Sequence, residues 1–156
     1  MIVDRPHIAI AGAGRMGRSI AVAFAHGGYE VDVIDFKPRP DEEYEWLAGE
    51  VRAEVMATLH ALAALDAIPR DAVDAVARRV TLLPQRASQV VLQRADVVFE
   101  AVPETLEAKR DALGRIAAAV GPGATIASTT VSTWPSSTMT SRQTLGTNSM
   151  RYSDPR

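Results

Sequence analysis

Three glycines near the start of the chain have a spacing that suits phosphate binding. Gly12, Gly14 and Gly17 follow a short apolar run, precede an alanine-rich stretch and fit the pattern G-x-G-x-x-G. The first glycine of such a pattern permits a tight turn, the second lets a pyrophosphate approach the backbone, and the third lets a helix pack close to a strand. N–H groups at the start of that helix favour an anion. The pattern therefore predicts a dinucleotide-binding turn, formed by Gly12, Ala13, Gly14, Arg15, Met16 and Gly17.

An acid ends the next apolar run. Asp35 lies 18 residues beyond Gly17, where a carboxylate accepts hydrogen bonds from the hydroxyls of an adenosine ribose. At about 4 Å from a 2′-phosphate it would exert roughly 4 kcal/mol of repulsion per unit charge at intermediate dielectric. We therefore expect a preference for NAD over NADP. Lys37 and Arg39 could soften this repulsion, but we interpret them instead as ordinary loop charges. The alternatives are glycines used only for steric reasons and a solvated aspartate at a strand end.

The elements that must position these residues alternate along the chain. Short apolar runs predict strands at residues 7–11, 29–36, 80–83, 96–102 and 125–130. Helical spacing and helix-ending signals predict helices at residues 15–26, 41–65, 71–79, 85–94 and 104–120. This alternation implies an α/β fold, a doubly wound Rossmann-type parallel sheet with a helical insertion after the second strand.

Length and composition favour one soluble domain with a polar tail. Residues 1–133 are predicted to form the NAD-binding domain, and residues 134–156, rich in Ser, Thr and Arg, to form a disordered tail. The net charge of −2 offers no general attraction to nucleic acid or to anionic lipid. The sequence contains no cysteine, and none of its histidines is spaced to bind a metal together with another ligand, so no metal site is predicted. No apolar stretch is long enough to span a bilayer, so a cytoplasmic protein is expected.

One longer stretch makes the sequence similar to a known family. With the glycine turn, the strand ending in Asp35 and the helical insertion, the segments ADVVFEAVPETLEAKRDAL and TIASTT resemble the NAD-binding domain of L-3-hydroxyacyl-CoA dehydrogenases. The resemblance runs from about His7 to Thr130. The gulonate dehydrogenases, which are lambda-crystallin-like, share this unit. The resemblance implies an oxidoreductase of fatty acid metabolism that transfers hydride between NAD and a 3-hydroxyacyl-CoA substrate, in a homodimer.

The resemblance also implies further contacts with the cofactor. The residues matching Glu104 and Lys109 lie near the nicotinamide half of NAD in that family, and the ends of the fourth and fifth strands supply Ala101, Val102 and Ser128. Parallel sheets hold their ligands at these carboxyl ends. Since Lys109 follows Glu104 by about one helical turn, both side chains could face one crevice. The alternative is an ordinary Glu–Lys helix pair worth about 0.2–0.5 kcal/mol.

Catalytic residues of the family are not evident in this sequence. The family's catalytic histidine follows the fifth strand, whereas His7, His26 and His60 all precede the third and are interpreted as structural. The catalytic serine falls on Val131, and Ser132 could replace it only after a one-residue shift. We therefore expect a truncated chain, with a foreign or frame-shifted tail and without the helical second domain, that binds NAD without turnover.

Other functions stay open at this point. The chain could be a non-catalytic NAD-binding module, or a fragment of a gulonate or other 3-hydroxy acid dehydrogenase. A minor possibility is a domain that binds FAD or no nucleotide. An exposed surface that normally meets the second domain would favour association, so the oligomeric state is also left open.

Overall fold

The computed structural model describes residues 5–129 and the backbone of two further strands, at residues 139–141 and 150–152. Five parallel strands form one sheet in the order β3-β2-β1-β4-β5. The strands are β1 (Ile8–Ala11), β2 (Val31–Ile34), β3 (Val80–Leu83), β4 (Val97–Glu100) and β5 (Thr125–Ser128). The order reverses beside β1, which confirms the predicted doubly wound α/β fold.

Helices connect the strands on both faces of this sheet. They are α1 (Arg15–His26), α2 (Asp41–Ala64), α3 (Val73–Ala77), α4 (Ser88–Arg94) and α5 (Leu106–Ala119). The predictions for α1 and β3 match residue for residue, and the other predicted elements are longer than those observed. Short 3-10 turns at residues 70–72 and 85–87 replace the first turns of two predicted helices.

Two apolar layers bury the sheet. The residues facing α1, α2 and α3 include Ile8, Ile10 and Val33, and those facing α4 and α5 include Ala9 and Ile34. The alternation follows from the strand geometry, in which successive side chains point to opposite faces. Met16, in the first turn of α1, is 55% exposed.

The helical insertion is attached to the edge of the sheet. Tyr44 of α2 donates a hydrogen bond of 2.9 Å to the carbonyl of Leu82 in the edge strand β3. Burial and then the charge of Glu45 raise the pKa of Tyr44, so its hydroxyl remains a donor. This contact fixes the start of the long α2 helix beside the loop that follows β2.

Within the segment predicted to be a disordered tail, two short strands pair antiparallel. These strands, β6 (Met139–Ser141) and β7 (Met150–Tyr152), were not expected from the sequence. The disorder of the other residues in 134–156 and the domain boundary at residue 133 stay predictions, because they fall outside the described residues. Among the described residues, no helix has the length and apolarity needed to cross a membrane.

Candidate nucleotide-binding site

The register of the sheet gathers three sequence features at one edge. Ala11, the last residue of β1, pairs with Ile34 of β2 on one side and with Glu100 of β4 on the other. Glu100 in turn pairs with Ser128 of β5. Because the strands are parallel, the glycine turn, Asp35 and the end of β4 all emerge at the carboxyl edge, where such sheets bind ligands.

Gly12 makes the tight turn that leaves β1. Its φ of +125° is in the region that favours glycine. A Cβ at this position would stand 2.5 Å from the carbonyl oxygen of Ala101, so the turn packs directly against the backbone that leaves β4. The N–H of Gly12 donates to the carbonyl of Ile34 at 2.9 Å. The close approach of the Ala101 carbonyl requires the absence of a side chain here.

Gly17 permits the close approach of α1 to this turn. A Cβ on Gly17 would overlap with the carbonyl oxygen of Gly12 and come within 3.2 Å of the Ile10 side chain. The third glycine of the pattern therefore has the packing role that the sequence predicted.

Gly14 differs from the other two glycines because open space surrounds it. No heavy atom lies within 4 Å of the position where its Cβ would be. Gly14 is the N-cap of α1, and no side chain caps the helix there. Backbone N–H groups in the first turn of a helix lack intrahelical partners and bind phosphate oxygens well. Free space above these groups, next to the exposed residues Arg15 and Met16, fits the pyrophosphate of a dinucleotide.

Arg18 stabilises the glycine turn through hydrogen bonds and ion pairs, a role that the sequence did not predict. Its Nε donates to the carbonyl of Ala13 at 2.8 Å, and its guanidinium pairs with Glu50 and Glu54 of α2. Burial lowers the pKa of Arg18, but the hydrogen bonds and charges of the two glutamates outweigh burial and raise it. The helical insertion thus helps to hold the phosphate-binding turn in place.

Asp35 is buried beside the turn and already has two partners. The residue is 4% exposed. Its Oδ2 accepts a hydrogen bond from Arg39 Nε at 2.6 Å, and its Oδ1 accepts one from the N–H of Lys37 at 3.3 Å. The interpretation of Arg39 as a loop charge is therefore wrong, since its guanidinium is engaged with the carboxylate assigned to the ribose.

A buried ionic group lies on the other side of Gly12. Lys109 Nζ is 3.0 and 3.1 Å from the two carboxylate oxygens of Glu100, and these residues are only 3% and 0% exposed. Ser128 donates to the same carboxylate at 2.6 Å, and the N–H of Val102 donates at 2.9 Å. We call Glu100 and Lys109, together with Ser128, which is exposed but donates to Glu100, the buried cluster. With these hydrogen bonds the carboxylate is well satisfied, as a buried charge must be.

Glu104 stands at the mouth of this cluster. Its Oε1 lies 3.5 Å from Lys109 Nζ, and its side chain is 45% exposed. Glu104 precedes α5, which begins at Leu106 after the N-cap Thr105. The contact with Lys109 predicted from the spacing is therefore present, but it is not a helix pair: Lys109 is buried, and its nearer partner is Glu100.

Glu100 lies within the segment ADVVFEAVPETLEAKRDAL, but the patterns of the sequence do not identify it as a site residue. The available signal was an acid at the last position of an otherwise apolar strand (VVFE), where a charge needs a partner. The partner, Lys109, lies nine residues further on, beyond the first turn of α5. Helix and strand periodicities alone do not connect these positions.

Three predicted site residues remain to be placed, namely Ala101, Val102 and Ser132. Ala101, 8% exposed, and Val102 follow β4 directly and face the glycine turn. Ser132 lies outside the described residues. His7 precedes β1, at the far end of that strand from the turn, with Nε2 3.0 Å from Asp32. Among the described residues, no group of three His, Cys, Asp or Glu side chains could hold a metal ion.

The parallel sheet, the open helix N-terminus and the buried aspartate define a dinucleotide-binding domain of the Rossmann class. Its sequence narrows the class further. The family described as 3-hydroxyacyl-CoA dehydrogenase, NAD binding domain, matches residues 7–148, and the chain belongs to this family. The resemblance noted from the residues is thereby confirmed, and the cofactor is NAD.

Individual relatives agree with this assignment. L-carnitine dehydrogenase of Streptomyces coelicolor is 34% identical over 123 residues, which cover 79% of this chain and 35% of that protein. The crystal structure of (S)-3-hydroxybutyryl-CoA dehydrogenase PaaH1 from Ralstonia eutropha has a TM-score of 0.68 and 26% identity, covering 87% of this chain and 42% of that one. FadB2 of M. tuberculosis has a TM-score of 0.68 and 25% identity, covering 81% and 41%. The chain thus spans less than half the length of these relatives.

Proposed function

We propose that the chain binds NAD across the carboxyl edge of its sheet and serves NAD-linked hydride transfer to and from a 3-hydroxyacyl substrate. The observation that carries this proposal is the open space at Gly14, which has Asp35 on one side and the buried cluster on the other. An extended dinucleotide placed over the N-terminus of α1 would reach both. Residues 12–17 and Asp35 form the adenosine half of the site, and the buried cluster with Glu104 forms the nicotinamide half.

The residues of each half have distinct tasks under this proposal. N–H groups of the glycine turn bind the pyrophosphate, and Asp35 accepts hydrogen bonds from the adenosine ribose. Lys109, held on Glu100, directs its ammonium group toward the mouth of the cluster, where Glu104 also lies, and both orient the nicotinamide ribose. Ala101 and Val102 provide the backbone against which this half of the cofactor rests. NAD supplies the hydride acceptor when it is bound.

The substrate class rests on the relatives. A 3-hydroxyacyl-CoA is favoured by the family and by the 3-hydroxybutyryl-CoA dehydrogenase from Ralstonia eutropha. The likeness to an L-carnitine dehydrogenase favours a second candidate, an alcohol that is not a CoA thioester. Histidine is well suited to remove the substrate's hydroxyl proton at neutral pH. The described residues include no histidine at this edge of the sheet, so we assign this step to none of the described residues.

We further propose that this polypeptide alone binds NAD without turning substrate over, in the cytoplasm and as a homodimer. Calorimetric titration of the purified chain with NAD tests binding, and absorbance at the NADH band with NAD and 3-hydroxybutyryl-CoA tests turnover. We expect heat of binding with a stoichiometry of one per chain and no NADH. Absence of binding would contradict the function, and NADH formation would contradict only the proposed lack of turnover.

A further inference from the structure

The adenosine half contains a cation that the assigned function does not use. Arg39 Nε is 2.6 Å from Asp35 Oδ2, and Arg39 Nη1 is 3.8 Å from the carboxylate of Glu43. The side chains of Asp35 and Arg39 are 6% and 27% exposed. The carboxylate that should receive ribose hydroxyls is therefore covered by a guanidinium of the same chain.

The backbone on either side keeps Arg39 in this place. Arg39 lies between Pro38 and Pro40, and proline fixes its own φ and restricts the residue before it to extended conformations. Pro40 is the N-cap of α2, with φ −57° and ψ 154°. Since the peptide cannot swing away easily, the guanidinium can leave Asp35 only by changing rotamer, and it then remains close to the ribose.

A competing cation has opposite consequences for the two forms of the nucleotide. The hydroxyls of NAD must displace Arg39 from Oδ2 or share that oxygen with it, so the ion pair weakens NAD binding. The 2′-phosphate of NADP would face Asp35, but the positive charge of Arg39 offsets this repulsion. Guanidinium groups also bind phosphate through paired hydrogen bonds.

We propose that Arg39 is a specificity-determining residue, a displaceable counter-ion of Asp35 that weakens NAD binding and makes NADP binding less unfavourable. This inference rests on the proposed function, because it assigns the adenosine ribose to Asp35. It deepens that function by naming the residue that sets the ratio of the two dissociation constants. Asp35 keeps NAD the preferred nucleotide, and Arg39 limits how strong the preference is.

Calorimetric titrations of NAD and NADP into the wild-type chain and R39Q test the inference. Glutamine retains a hydrogen-bond donor near Asp35 but removes the charge. We expect NAD to bind R39Q about threefold more tightly and NADP about tenfold more weakly, so the ratio Kd(NADP)/Kd(NAD) rises by about thirtyfold. R39K, which keeps the positive charge, should leave the ratio within about threefold of wild type. Thermal unfolding of each variant establishes that it is folded.

R86Q is the matched control, because Arg86 pairs with Asp41 on the surface at 2.7 Å and its loss changes the net charge equally. We expect R86Q to leave the ratio unchanged. A ratio unaltered in R39Q while NAD still binds, or an equal rise in R86Q, would overturn the role of Arg39 alone. Failure of the wild-type chain to bind either nucleotide would overturn the proposed function and this inference together. If R39Q fails to fold, R39K decides: a ratio raised tenfold or more by a variant that keeps the charge would overturn the inference.

Discussion

The adenosine half of the site is built from residues that are close in the sequence, whereas the nicotinamide half is built from residues that are far apart. Residues 12–17, Asp35 and Arg39 lie on two consecutive strand ends, and much of their contribution comes from the backbone. Glu100, Lys109 and Ser128 come from two strands and a helix, and they meet in a buried ionic group. The adenosine half therefore depends on positions where a side chain would not fit or would fill the binding space. The nicotinamide half depends on buried charges that pair with one another.

This difference predicts different responses to substitution. A change in the nicotinamide half should act first on stability, because it leaves a charge buried without its partner. A change in the adenosine half should act on stability or on binding according to which glycine is altered, since Gly14 alone among its three glycines faces open space.

The largest effect is expected in the buried cluster. K109M leaves the fully buried carboxylate of Glu100 without its cation, and breaking a buried pair in this way typically costs about 3–5 kcal/mol. We expect a loss of that size in the free energy of unfolding, measured by urea denaturation. R110M, which removes an exposed cation from the neighbouring position of α5, should change it by less than about 0.5 kcal/mol.

A double variant sharpens this first prediction. E100L/K109M replaces both charges with apolar groups, so no unpaired charge is left, and it should be more stable than K109M. A K109M chain as stable as R110M would contradict the description of Lys109 and Glu100 as a mutually dependent pair.

Gly17 is expected to give the next largest effect. G17A places a methyl group onto the carbonyl of Gly12, which must shift together with the turn. Such overpacking costs about 1–3 kcal/mol. G49A, on α2 with no heavy atom within 4 Å of the new Cβ, should instead raise the free energy of unfolding by up to about 1 kcal/mol. Equal stabilities of G17A and G49A would contradict the close packing of α1 on the turn.

Gly14 should separate binding from stability. Its φ of −76° suits any residue, and an added methyl group meets no atom of the protein. We expect G14A to lose no more than about 1 kcal/mol of stability, the usual cost of alanine at an N-cap. The methyl group would occupy the space assigned to the pyrophosphate, so calorimetry should give at least about tenfold weaker NAD binding. NAD binding by G14A at wild-type affinity would argue against this position for the phosphates.

The smallest effect is expected at Ser128. S128A removes the 2.6 Å hydrogen bond to Glu100 but leaves the contacts with Lys109 and Val102. One hydrogen bond to a charged group contributes about 1.5–3 kcal/mol when it is well formed, and exposure at the end of β5 reduces this to about 1 kcal/mol. Urea denaturation should show this modest loss. A loss equal to that of K109M would mean that Ser128, not Lys109, is the main partner of the carboxylate.

The sequence predicted the fold and the adenosine half more fully than the nicotinamide half. The glycine roles, Asp35 at a strand end and the boundaries of α1 follow from local patterns, because turns and periodicities involve neighbouring residues. The ion pair between Arg39 and Asp35 depends on rotamers beside two prolines, and no spacing rule specifies it. The contacts of Glu100 with Lys109 and Ser128 depend on the strand register and on the residue at which α5 begins. Both are determined only when the sheet is assembled.

Both halves should belong to one site for one ligand, and amide chemical-shift mapping by NMR tests that claim most directly. NAD and ADP, which lacks both the nicotinamide and its ribose, are titrated separately into the labelled chain. We predict that both ligands shift residues 12–17 and Asp35, and that only NAD shifts Lys109 and Glu104. Shifts at Lys109 and Glu104 of equal size with ADP, or NAD shifts that spare residues 12–17, would contradict this account.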